Sequence, residues 1–301
     1  MASAPLLKST LNRFLARFPA RARLRFDPVQ FPRRYADPAD REVAALTAAL
    51  LAYGRVGSLL AKTALVLDPM GERPARWIAG SRPGKTLRAL RGWSHRWTTP
   101  QDMAYLVEGM RRILADAGSL RAAFLAGWSP RDPDLRPALR NFHARFRAVD
   151  PGPIYGGGGR RDRLRSLDFL LADPAGGSSL KRWNLFLRWM VRPDDGVDLG
   201  LWREVPARQL TIPLDTHVHR IAFALGLTRR TTPGWETARQ VTDSLSAADP
   251  RDPVRFDFAL AHLGISGACR GYRVKAVCGH CALAPICTLP GRPLSRRKGA
   301  A

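Results

Sequence analysis

FALAHLGISGACRGYRVKAVCGHCALAPICT, residues 258–288, contains every cysteine of the 301-residue chain: Cys269, Cys278, Cys281 and Cys287. Their spacing is C-x8-C-x2-C-x5-C. Thiols gathered this tightly read as a metal site rather than as two disulfides, because Cys278 and Cys281 are too close in sequence to bridge comfortably but well spaced to converge on one centre. Four thiolates suit either a tetrahedral zinc ion or a [4Fe–4S] cluster. Zinc sites usually pair their ligands as two short C-x2-C knuckles, and only one such pair occurs here. The uneven outer loops suit a bulkier cubane, and zinc remains the alternative.

Outward from this stretch the chain reads as helical almost throughout. Asp37-Pro38-Ala39-Asp40 offers an N-cap, a proline at the first helical position and an acidic residue before REVAALTAALLAYGRV. Thr99-Pro100 repeats the signal before QDMAYLVEGMRRILADAG, which Gly118 closes. Thr232-Pro233 and Asp252-Pro253 are expected to open two more helices. No stretch alternates polar and apolar residues over a strand's length between turn signals, so the predicted fold class is all-α. Residues 153–164, 193–202 and the tail 292–301 read as irregular. The first 26 residues mix basic and apolar side chains, as an amphipathic helix does and a secretory signal does not.

The charge balance, 49 Lys+Arg against 25 Asp+Glu or +24 overall, points to a polyanionic partner. No apolar run is long enough to span a bilayer, so no membrane partner is expected, and a reducing, cytoplasmic setting favours metal over disulfide. Arginine dominates the basic residues, and Lys181 is the lone lysine between Lys85 and Lys275. Arginine cannot serve as an amine nucleophile and a desolvated lysine can, which singles Lys181 out.

Three segments carry a resemblance. C-x2-C-x5-C matches the last three cysteines of the iron–sulfur loop of endonuclease III-like DNA glycosylases, whose full pattern is C-x6-C-x2-C-x5-C; this chain has two extra residues after Cys269. LDTHVHRIAFALGL, residues 214–227, resembles the VDTHxxR segment of the helix-hairpin-helix glycosylase superfamily, with Asp215 at the position of its catalytic Asp. PAGGSSLKRWNLFLRWMVR, residues 174–192, places Gly177, Ser179 and Lys181 in the relative positions of that superfamily's hairpin Gly, Gly and Lys. No LPGxGxxTA hairpin stands just before Asp215, and the long interval from Lys181 resembles archaeal 8-oxoguanine glycosylases. The whole looks most like a bacterial branch of the superfamily.

The resemblance implies a bilobal fold: a helical barrel over 41–205 with a degenerate hairpin, and a cluster-bearing lobe of residues 1–40 plus 206–301. It implies a monomeric, nucleoid-associated DNA glycosylase with AP-lyase activity, acting on double-stranded DNA with a damaged base. Lys181 would be the nucleophile and Asp215 the carboxylate that assists it. Gly177 and Ser179 would approach phosphate, as would Arg270, Arg273 and Lys275 on the cysteine loop, and Arg55 or Tyr53 would fill the gap left by a flipped base. Against these stand plainer roles: Asp215 as a helix N-cap, Lys181 as a cap or phosphate contact, and Trp183, Trp189 and Trp202 as core rather than base-stacking surfaces. Two other functions compete, a non-catalytic nucleic-acid-binding protein that keeps the fold and a zinc-stabilised RNA-binding protein.

Overall fold

The computed structural model describes residues 2–156 and 160–289, without the side chains of residues 160–163 and 275. The glycine run beyond Gly156 and the tail 292–301 lie outside the described residues. Among those described the protein is all-α, with no strand and one isolated antiparallel bridge between His95 and Thr98. Its longer helices are α1 (Ala4–Arg17), α2 (Pro38–Leu50), α3 (Val56–Leu67), α4 (Pro100–Ala117), α5 (Arg136–Arg147), α6 (Arg160–Leu170), α7 (Lys181–Val191), α8 (Thr216–Ala224), α9 (Trp235–Ser246) and α10 (Asp257–Ile265). None is long and apolar enough to cross a membrane.

Local chemistry sets several helix starts. Asp37 caps α2 by accepting the Ala39 N–H at 2.9 Å, with Pro38 at the first position. Asp40, acidic at the right place for that helix, serves another element: it is buried, accepts the Ala75 N–H at 2.8 Å and pairs with Arg73 at 3.0 Å. Thr99 and Asp102 form a reciprocal capping box on α4, which ends at left-handed Gly118. Two starts differ from the sequence expectation. α9 begins at Trp235 behind Gly234 rather than at Thr232-Pro233, and Pro253 opens a 3₁₀ turn, Pro253–Phe256, that runs on into α10.

One continuous apolar core extends from Leu7 to Ile286. At its centre α7 packs along α2, burying Trp183, Phe186, Leu187, Trp189 and Met190. Trp183, Trp189 and Trp202 are core, not base-stacking surfaces: each is fully buried, and Trp202 packs on Phe124 and Phe186 with ring centroids at 4.9 and 5.3 Å. The N-terminal segment lies against the C-terminal helices. Phe18 meets Phe258 edge-on at 6.0 Å, Asp27 and His262 are 3.1 Å apart, and α1 touches the turn Ala284–Ile286.

Behind α7 runs a buried ionic chain. Arg188 donates through Nε to Asp198 at 3.0 Å and through Nη1 to Asp257, and Arg192 bonds Asp198 and reaches Asp252 at 2.9 Å. Charges this deep are tolerable only because each is paired and hydrogen-bonded.

Candidate active-site cleft and cysteine loop

Lys181 and Asp215 both stand at helix starts. Lys181 is the first residue of α7, reached through Leu180, whose φ of 51° is left-handed backbone rarely adopted by a γ-branched residue. That strain of about 1–3 kcal/mol is held by the surrounding bonds. Asn184 Nδ2 donates to Ser179 O at 3.0 Å, and Ser179 Oγ donates to Leu214 O at 2.9 Å. The second bond ties the lysine loop to the residue before Asp215. Asp215 caps α8, its Oδ1 accepting the N–H groups of His217 and Val218 at 2.9 Å each. Its Oδ2 has no hydrogen-bond partner among the described residues.

Both residues line one cleft of about 930 Å³, together with Ser179, Arg55, Tyr53 and His217. Helices α8 and α10 meet tightly beside it: a Cβ on Gly264 would lie 2.7 Å from His217 Cβ. Lys181 Nζ donates to Ala52 O at 2.8 Å and Arg182 Nη1 to Leu50 O at 3.2 Å, so two cations cap the carbonyl end of α2. The capping role foreseen for Lys181 is therefore present, on a neighbouring helix rather than its own. Arg182 also lies over the rings of Phe169 and Tyr53, at 4.2 and 5.3 Å. Burial pulls its guanidinium down to about 10, which leaves it charged at neutral pH.

The floor of the cleft holds carboxylates that motif reading missed. Asp257 is buried, with one oxygen on Arg188 and Oδ1 without a partner. Burial pushes its carboxyl up to about 6, against the bond and charge of Arg188; the Asp215 charge adds to the rise and Lys181 opposes it. Asp27 lies in the same wall: burial would raise it, but the bond and charge of His262, the Val29 N–H and Arg188 together hold it below the usual range. The signal for Asp257 was a carboxylate inside an otherwise apolar run, FDFALA at 256–261.

The four cysteines surround a separate cavity of about 830 Å³. All are free and half-buried. Burial raises the Cys281 thiol, and the other three thiols act on it in the same direction. The Val274 N–H points at Cys278 Sγ from 3.3 Å. A four-thiol donor set with an N–H···S bond matches soft-metal and iron–sulfur chemistry in kind. Among the described residues, however, no group of three or more His, Cys, Asp or Glu is arranged to hold a metal ion. Helix α8 connects the two sites. Asp215 opens it at the cleft, Ile221 and Ala224 line the cysteine cavity, and Arg220 donates to Cys269 O at 2.9 Å.

The remaining expected contacts are divided. Arg55 is exposed on the wall of the cleft. Gly177 is outside its lining, with open space where a Cβ would be, and its carbonyl accepts the Trp235 N–H at 3.0 Å. The left-handed residue of that loop is Leu180, so its geometry differs from a hairpin that turns on glycine. Arg270 and Arg273 line the cysteine cavity; Arg270 is exposed, and Arg273 donates to Cys287 O at 3.0 Å. The Lys275 side chain lies outside the described residues. No curated protein and no solved structure matches the chain. Residues 27–266, which include Lys181, Asp215 and Asp257 and end before Cys269, match the family described as "Protein of unknown function (DUF2400)", and the chain belongs to that family.

Proposed function

We propose that this protein is a DNA glycosylase with AP-lyase activity, built on a bilobal helix-hairpin-helix-like scaffold, that excises a damaged base from duplex DNA. The observation that carries the reading is the shared cleft. Two residues singled out by separate motifs, Lys181 and Asp215, open onto one cavity of about 930 Å³, a volume suited to a nucleotide turned out of the duplex. The net charge of +24 supplies the attraction to phosphate.

In this mechanism Lys181 leaves the Ala52 carbonyl, sheds a proton and attacks C1′ of the flipped nucleotide. The N–C1′ bond forms as the glycosidic bond breaks, and the bonding pair departs on the base, which takes up a proton. Asp215 Oδ2 accepts the proton from the alkylated amine, and its charge offsets the positive sugar. As the C1′–O4′ bond opens, O4′ takes the proton held by Asp215 and a protonated imine remains; removal of a C2′ proton then expels the 3′ phosphate and cuts the strand. The four cysteines would hold a [4Fe–4S] cluster, with zinc as the alternative, which braces the loop carrying Arg270, Arg273 and Lys275. Such an enzyme would work as a monomer at the nucleoid.

Borohydride trapping on duplexes with a panel of lesions tests the reading. A covalent adduct is expected that disappears in Lys181→Gln; no adduct with any lesion would sink it. One observation favours a second reading, a DNA-binding protein without chemistry: Lys181 is already engaged at Ala52 as a cap. That reading requires salt-sensitive duplex binding that survives Asp215→Asn, with no base release.

A further inference from the structure

A second cavity of about 900 Å³ adjoins the cleft on the other side of Phe169, with Trp97, Thr99, Gln101 and Ser166 also in its lining. Trp97 is 57% exposed, the most open large apolar side chain among the described residues, whereas Trp93, Trp183, Trp189, Trp202 and Trp235 are all buried. A tight turn presents it. His95 N donates to Thr98 O at 3.0 Å and Thr98 N to His95 O at 2.9 Å, leaving Arg96 and Trp97 at the tip.

Arg96 has φ 54°, at a hairpin position usually given to glycine. The surroundings over-determine this strain. The Tyr53 hydroxyl donates to His95 O at 2.7 Å and lies 2.6 Å from Thr98 Oγ1, while His95 Nε2 is 3.0 Å from Tyr53 O. Gly54, at φ 84°, admits the arginine stem: a Cβ there would lie 3.2 Å from Arg96 Cδ. The result is an indole held out to solvent, edge-on to Phe169 at 5.1 Å, with the Arg96 guanidinium 4.8 Å from its ring centre.

Burial alone would have drawn this ring inward. A rigid, strained mount that keeps an aromatic face open is suited to a flat partner, and cations with aromatic faces stack nucleobases at about 1–3 kcal/mol each. Arg96, Trp97, Phe169, Arg182 and Tyr53 form an unbroken series of ring and cation contacts from this cavity to the Lys181 cleft. We propose that the Trp97 face and its cavity receive an unpaired nucleobase of the DNA, next to the nucleotide in the cleft. The adjacency, though not the base site itself, rests on the glycosylase reading.

The test uses the full chain with duplexes carrying 2-aminopurine in a one-base bulge, a fully paired control and an RNA bulge of the same sequence. Binding should quench the 2-aminopurine. Trp97→Ala should weaken the bulged duplex by about 5- to 100-fold, leave the paired one unchanged, and be largely rescued by Trp97→Phe. Equal affinity of Trp97→Ala and parent for the bulge, equal weakening on both duplexes, or tighter binding of the RNA overturns the proposal. Trapping with borohydride runs alongside. An absent adduct with the Trp97 effect intact removes the lyase chemistry and keeps the base site, and an adduct without the Trp97 effect does the reverse.

Discussion

Ser179 donates its hydroxyl to the Leu214 carbonyl at 2.9 Å, so the residue two before Lys181 is fastened to the residue just before Asp215. Each candidate catalytic side chain is set by its own helix start. This one bond joins the two starts across 35 residues of chain. It makes the spacing of amine and carboxylate a property of the loops rather than of the side chains alone.

Removing that tie should separate stability from geometry. Ser179→Ala is expected to lower stability by about 1 kcal/mol in urea denaturation. Single-turnover base release should slow about tenfold or more through misplacement of the pair. Full activity would show that the loops are held in register by other contacts.

Asp215 has two separable duties. Asparagine caps a helix as well as aspartate does, so Asp215→Asn should hold stability within about 0.5 kcal/mol while base release falls by at least about 100-fold. Asp215→Ala should lose the same activity and about 1 kcal/mol of stability besides. Equal activity in the asparagine variant would leave the residue as a cap only.

Asp257 supplies a pH signature. Its folded carboxyl is raised from 3.8 to about 6, so the folded protein holds this proton more tightly than the unfolded chain. The stabilisation is fully present below the unfolded value and is lost as pH rises through about 6. Between pH 7 and 4 the parent should therefore gain stability on acidification relative to Asp257→Asn, read as the difference between their denaturation midpoints. Parallel curves would mean that Arg188 keeps the carboxylate ionised throughout.

Arg188 neutralises Asp198 and Asp257 in the core. Arg188→Met strands the buried Asp257 and leaves Asp198 to Arg192 alone, and should cost about 3–5 kcal/mol. Adding Asp198→Asn and Asp257→Asn should return much of that loss, because the cost lies in unpaired charge rather than in lost volume. Melting temperatures of the single and triple variants check it.

The cysteine loop predicts a colour. Protein purified without oxygen should be brown, with iron and inorganic sulfide, and Cys281→Ser should bleach it. A colourless protein that contains zinc would replace the cluster with the alternative metal.

Helix starts were legible because their chemistry is local: Asp37-Pro38, Thr99-Pro100 with Asp102, and Asp215 each satisfy orphan N–H groups within a few residues. The same signal misled at Thr232-Pro233, where Gly234 takes the cap position and the loop carbonyl of Gly177 satisfies the first N–H. The pairing of Asp257 was invisible for the opposite reason. Its partner Arg188 is 69 residues away, and nothing nearby marks the pairing. The tryptophans show the same limit, since the sequence could not tell the buried Trp183, Trp189 and Trp202 from the exposed Trp97.

By itself the sequence determined the all-α class, the caps at Asp37, Thr99 and Asp215, the net positive charge and the positions of the candidate thiols and amine. These depend on residue type and near neighbours. Only the tertiary structure decided that Lys181 and Asp215 share a cleft, that Asp257 and Arg188 form its floor, and that Trp97 is held open beside it. Those relations join residues far apart in the chain, and packing the helices around one core is what brings them within reach.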